Sequence, residues 1–89
     1  MVRRELEIVN RLGLHARAAS RFVQTASRYR CEVRLREGDR EVNGKSILGV
    51  MRLAASRGTR LELVTEGPDE HEAAEALARL VAGRFGEPD

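Results

Sequence analysis

The chain has 89 residues, 34% of them charged, with a net charge of +2, one cysteine and three aromatic residues. That length supports one modest core, a lone cysteine excludes an internal disulfide, and no apolar run approaches the ~20 residues that span a bilayer. The opening MVRRELEI lacks the apolar stretch of a signal peptide, and Cys31 reads as a small core residue in a reducing compartment, so the cytoplasm is the expected location.

In chain order, Val2 to Val9 alternates apolar and charged residues, the pattern of a strand with one wet face. Asn10 to Leu14 reads as a loop bent at Gly13. From Ala16 to about Arg28, Ala18, Ala19, Phe22, Val23 and Ala26 recur at helical spacing, with Arg17, Arg21, Gln24 and Arg28 off that stripe. Cys31, Val33 and Leu35 alternate with charges as a second strand. Gly38-Asp39 is a hairpin turn with glycine first, and Arg40 to Asn43 returns as a short third strand. Ser46 is placed to cap a helix from Ile47 to about Ala54. Arg60 to Thr65 is a fourth strand with Leu61 and Leu63 inward. Asp69 and Glu72 make a capping-box-like start to a last helix carrying Ala73, Ala74, Leu77, Leu80, Val81 and Phe85. The order is βαββαβα, an α+β chain with no repeat, linker or low-complexity segment.

The stretch LGLHARAAS, Leu12 to Ser20, places an imidazole and a guanidinium at the start of the first helix. Amides there lack intrahelical partners, and the helix dipole adds partial positive charge. A phosphate on the His15 ring could accept bonds from the amides of Ala16 and Arg17, with a charge-assisted contact from the Arg17 side chain. The same surroundings disfavour imidazolium and favour a neutral, nucleophilic ring. Each effect is small, roughly 0.3–1 kcal/mol for exposed groups, which suits a group that holds phosphate briefly and releases it. Position alone equally allows a helix-start histidine bonded to the backbone beside a solvated Arg17.

Other features carry paired readings. Ser46 is explained as a helix cap, and a phosphoserine there would also be tolerated while repelling an acidic partner. The second helix, with Ile47, Leu48, Val50, Met51 and Leu53, has hardly any polar face. Either all five are core, or some of Ile47, Leu48 and Met51 stay exposed as a docking surface. GDREVNGKS, Gly38 to Ser46, ends like a nucleotide-binding loop, but five residues separate its glycines where that motif requires four. His71 reads as solvated, no spacing of His15, Cys31 and His71 suggests a metal site, and no cofactor is expected.

The charge is uneven. Met1 to Arg60 holds 14 basic and 6 acidic residues, and Leu61 to Asp89 holds 2 and 8. Solvated faces explain this, as does a basic face meeting nucleic acid, a phosphorylated ligand or an acidic protein. A small nucleic-acid-binding domain is the alternative from a different class. Against it, Phe22, Tyr29 and Phe85 are all assigned to helices or a helix end, away from any sheet surface that could stack bases.

Together these residues closely resemble the HPr family, the histidine-containing phosphocarriers of the bacterial phosphoenolpyruvate-dependent phosphotransferase system. GLHAR at Gly13 to Arg17 is similar to its active-site motif, and VNGKSILGVMRLAA at Val42 to Ala55 to its second signature. The likeness covers essentially residues 1–89 as one domain. It implies an open-faced β-sandwich, a four-stranded antiparallel sheet covered on one side by three helices. It further implies that His15 accepts phosphate on Nδ1 from enzyme I, that Arg17 stabilises it, and that a IIA-type protein receives it. Ser46 matches the serine modified in some lineages by an HPr kinase/phosphorylase. Ile47, Leu48 and Met51, with Ser20, Arg21 and Gln24, fall on the family's partner-docking helices. The implied protein is a carrier without turnover chemistry of its own, expected to be monomeric, to bind no nucleic acid and to insert in no membrane. Ala18 stands where many sugar-transport members have proline. GLHARAAS, MRLAASRGT and RFGE are similar to the nitrogen-related NPr branch, so sugar uptake and nitrogen-related regulation are both implied uses.

Overall fold

The computed structural model describes all 89 residues. Its elements are β1 (Val2–Glu7), α1 (Ala16–Ala26), β2 (Glu32–Glu37), β3 (Arg40–Asn43), α2 (Ile47–Arg52), β4 (Arg60–Glu66) and α3 (Glu70–Ala82), then a 3₁₀ turn, Arg84–Gly86. The βαββαβα order is the one the periodicities predict. The strands form one antiparallel sheet in the order β1-β4-β2-β3, so the last strand in sequence lies between the first two. Its composition accounts for that place. Leu61 and Leu63 face Leu6 and Leu35 across the two ladders, and four of the seven residues of β4 are buried.

Three helices cover one face. The small Ala18, Ala19 and Ala26 of α1 are wholly buried and let the helix come close, while Phe22, 1% exposed, fills the space between. Its burial is worth about 1.5–3 kcal/mol. The opposite face is laced with charge. Arg34 pairs with Glu32 (2.8 Å) and Glu66 (3.4 Å), and Arg36 with Glu41 (3.6 Å) and Glu62 (3.8 Å). Such exposed pairs add roughly 0–1 kcal/mol each, and they account for two of the 14 basic residues of the first 60.

Element ends differ from the sequence expectation for local reasons. β1 stops at Glu7 because Ile8 leaves the ladder and bonds the loop before β4, through Thr59 O (2.9 Å) and Gly58 N (2.7 Å). α1 stops at Ala26, where Arg28 and Tyr29 amides turn back to the carbonyls of Thr25 and Ala26. α2 ends at Arg52, two residues early, and Ala54 takes the left-handed φ of 47°. The hairpin is as expected: Glu37 pairs with Arg40 and Gly38 has φ 60°.

Two expectations fail at α3. Asp69 makes no side-chain cap. Its carboxylate instead accepts the amides of Arg30 and Cys31, both at 2.9 Å, and stitches the turn after α1 to the start of α3. Two tertiary donors outcompete the local one. Phe85 is not on the last helix either. Gly83 closes α3, and Arg84, Phe85 and Gly86 all have positive φ (60°, 55° and 79°), folding Phe85 back into the core at 1% exposure.

Candidate functional site

Gly13 sets the position of His15. With φ 69° it turns the loop so closely against the strand-side connection after α2 that a Cβ there would lie 2.4 Å from the Ala55 carbonyl oxygen. The next amide, Leu14, donates to that same oxygen at 2.9 Å. The chain then enters α1 with His15 as N-cap. Its backbone is extended and its carbonyl accepts Ala19 N at 2.9 Å.

The two ring nitrogens have different partners. Nδ1 accepts the amide of Arg17 at 3.2 Å, taking the place a serine or aspartate oxygen occupies at an ordinary cap. Nδ1 therefore carries a lone pair, and the proton sits on Nε2, which donates to Glu87 Oε2. The ring remains 28% exposed, whereas the Glu87 side chain is 12% exposed. Asn10, fully buried, holds the acid from its other side. Its Nδ2 donates to Glu87 Oε1 (2.9 Å) and to the Gly13 carbonyl (2.8 Å), and Oδ1 is left buried without a partner. Burial pushes the Glu87 carboxyl up, but hydrogen bonds from Asn10 and His15 and the nearby charge of Arg21 prevail and hold it below the usual carboxylate range.

Sequence reasoning located His15, Ala16 and Arg17 but not Glu87 or Asn10. No local signal marks them: Glu87 lies 72 residues beyond His15 and reaches it only through the backward fold of the tail. The Ala16 amide has no partner in the chain, the Arg17 amide has only Nδ1, and the Arg17 guanidinium is exposed and makes no hydrogen bond or ion pair.

A family model described as "PTS HPr component phosphorylation site" matches residues 2–83. The chain is 54% identical over 87 residues to the phosphocarrier protein HPr of Neisseria meningitidis, covering 98% of each, and 55% identical over 84 residues to that of Pseudomonas aeruginosa, covering 93% of each. Among solved structures it is similar to an HPr from Thermoanaerobacter tengcongensis, with a TM-score of 0.96 over all of both chains at 44% identity. An HPr from Bacillus anthracis matches at TM-score 0.86 and 40% identity, over 90% of this chain and 95% of that one. The chain belongs to the HPr family. HPr proteins are phosphocarriers and not turnover catalysts, and membership implies dealings with enzyme I and IIA-type proteins of the phosphotransferase system.

The other residues singled out from the HPr resemblance lie on α1, on α2 and just before α2. Ser46 is the N-cap of α2, its Oγ accepting Gly49 N at 3.1 Å. Of the five apolar α2-region residues, Val50 and Leu53 are buried, while Ile47, Leu48 and Met51 are 43%, 74% and 38% exposed. α1 and α2 pack together, and the Gly13–Ala55 contact brings the connection after α2 against the His15 loop. Gln24 is exposed and reaches Ser20 Oγ at 3.5 Å. Arg21 is partly engaged within the fold, donating to the Phe85 carbonyl. Nucleic-acid binding loses its footing, since Phe22 and Phe85 are buried and Tyr29 packs against the core. His71 is exposed, and no group of three or more metal-ligating side chains occurs. No helix is long and apolar enough to cross a membrane.

Proposed function

We propose that His15 is the phosphoacceptor, taking a phosphoryl group from enzyme I on Nδ1 and passing it to a IIA-type protein. The observation that carries this reading is the division of labour between the ring nitrogens: a lone pair on Nδ1 at the mouth of α1, and the proton on Nε2. The Nδ1 lone pair forms the new N–P bond as the donor's bond to phosphorus breaks, and in onward transfer a nucleophile of the recipient bonds phosphorus as the N–P pair returns to Nδ1. As phosphorus arrives, the Arg17 amide gives up Nδ1 and, with the Ala16 amide, turns to the phosphoryl oxygens. The free Arg17 guanidinium adds a charge-assisted contact. The test is incubation with enzyme I and labelled phosphoenolpyruvate. Wild type takes up acid-labile phosphate and His15→Ala takes up none. Label on His15→Ala, or none on wild type, removes the reading.

Residues 1–89 act on this reading as one carrier domain in the cytoplasm. Its docking surface is the exposed Ile47, Leu48 and Met51 of α2 together with Ser20, Arg21 and Gln24 of α1. A monomer suits it, because one face must serve successive partners. Ser46 is the site for an HPr kinase/phosphorylase where one is present. A phosphate there would place about −1.5 to −2 charge beside the apolar patch and weaken acidic partners. Substituting Leu48→Asp tests the surface: uptake from enzyme I falls while the fold and His15 remain. Whether the recipient serves sugar uptake or nitrogen-related regulation is decided by which IIA-type protein empties the phosphorylated chain fastest.

A further inference from the structure

Two guanidiniums line the cleft at His15 without making a hydrogen bond of their own. That cleft, of about 460 Å³, is bordered by Arg11, His15, Ala16, Arg17 and Asp89 among others. Arg17 belongs to α1, whereas Arg11 comes from the loop before it. There the Gly13 amide donates to the Asn10 carbonyl at 3.2 Å, closing a tight turn with Arg11 and Leu12 at its corner. The Arg11 amide donates to the Asp89 carbonyl at 3.1 Å, so the backbone of Arg11 is fixed. Its side chain meets only the Asp89 carboxylate, Nε to Oδ2, at 3.5 Å. This lies beyond the roughly 2.7–3.2 Å of an N–H···O bond. The two side chains are 63% and 71% exposed, and an ion pair so open to water is weak. Other cations nearby are committed: Arg21 donates to the Phe85 carbonyl, and Arg84 to the Pro88 carbonyl at 2.8 Å.

We propose that Arg11 is a second phosphoryl-binding guanidinium, held on Asp89 in the empty carrier and drawn onto the phosphoryl group while two proteins share it. This rests on the reading of His15 as phosphoacceptor. The contest for Arg11 is decided by charge and water. Asp89 offers one negative charge in open solvent. A phosphoryl group in flight spreads its charge over three oxygens, in a cleft that a docked partner closes to water, where charge-assisted bonds count for more. The Ala16 and Arg17 amides and the Arg17 side chain approach from α1, and Arg11 adds a donor from the loop. No proton moves in this step. The Nδ1 lone pair bonds phosphorus as the donor's bond to phosphorus breaks, and Arg11 donates N–H bonds to the oxygens alone. When the partner leaves, water returns and Asp89 takes the guanidinium back. The phosphorylated carrier at rest is then held no more tightly, as a relay requires, and the barrier falls equally in both directions.

The experiment compares wild type, Arg11→Gln, Asp89→Asn and the double variant, with enzyme I and labelled phosphoenolpyruvate and then a IIA-type protein. Both side chains are exposed, so each variant folds. Arg11→Gln lowers kcat of uptake and the rapid-quench rate of delivery by about tenfold each, while KM for the carrier and the final share of label change by less than about twofold. A charge that merely steers docking would instead raise KM and lose its effect in salt. Asp89→Asn keeps the main-chain bond to Arg11 but frees its guanidinium. The phosphorylated carrier then holds its phosphate more firmly, and the equilibrium with enzyme I moves toward it by about threefold, a shift that disappears in the double variant. Arg11→Gln with the kcat of wild type, or an Asp89→Asn shift that persists without Arg11, overturns the proposal. Wild type that takes no label on His15 is a different outcome: it removes the acceptor reading itself, and the proposal with it.

Discussion

Two glycines with nearly the same backbone provide a controlled measurement of how tightly the His15 loop is seated. Gly13 has φ 69° and Gly38 has φ 60°. An added Cβ at Gly38 meets nothing within 4 Å, whereas at Gly13 it lies 2.4 Å from Ala55 O and 3.0 Å from Ser56 Cα. Gly38→Ala therefore costs only the left-handed conformation, about 1–2 kcal/mol. Gly13→Ala adds overpacking against backbone that cannot rotate away, about 1–3 kcal/mol more. Its total of roughly 2–5 kcal/mol is a large share of the ~4–13 kcal/mol expected for a chain this size. Urea unfolding of both variants beside wild type measures the difference. Because Gly13 also accepts from Asn10 and precedes His15, Gly13→Ala slows phosphate uptake where it remains folded, and Gly38→Ala does not. Equal destabilisation of the two variants would refute the claim that contact with Ala55 holds the loop.

Three further outcomes are expected. Ala54→Gly stabilises the protein by about 0.5–1 kcal/mol in urea unfolding, since φ 47° strains alanine and suits glycine after a helix end. Ser46→Ala destabilises by about 1 kcal/mol through loss of the cap to Gly49, and Ser46→Asp recovers most of it. Any comparison of these as phosphorylation variants must therefore be made below the Ser46→Ala melting range. The amides of Arg30 and Cys31 hold the Asp69 carboxyl below its ordinary value. A depressed folded value means stability that is present above the unfolded value near 3.9 and lost as pH falls through the folded one. Asp69→Asn is thus less stable near neutrality, and its melting temperature falls less steeply between pH 4 and pH 2. Parallel melting curves for the two proteins would contradict that assignment.

What was legible in the sequence was what depends on near neighbours. The alternation of Leu61 and Leu63, the α1 stripe through Phe22, the turn at Gly38 and the cap at Ser46 are each decided within a few residues by backbone sterics and one buried face. The exposure of Ile47, Leu48 and Met51 was also within reach, because two turns of helix cannot bury every side in so small a chain. The same local logic misjudged Asp69, whose position suits a cap but whose carboxylate is captured by amides 38 and 39 residues earlier. It misplaced Phe85 for the same kind of reason.

By itself, then, the sequence determined the elements, their order and the presence of an imidazole at a helix mouth. Tertiary structure alone decided that β4 lies between β1 and β2, and that the tail returns to set Glu87 on Nε2 with Asn10 behind it. The physical reason is range. Hydrophobic periodicity and capping act over a few residues, whereas the proton's place on His15 is set by a carboxylate distant in the chain, and only packing of the whole brings the two together.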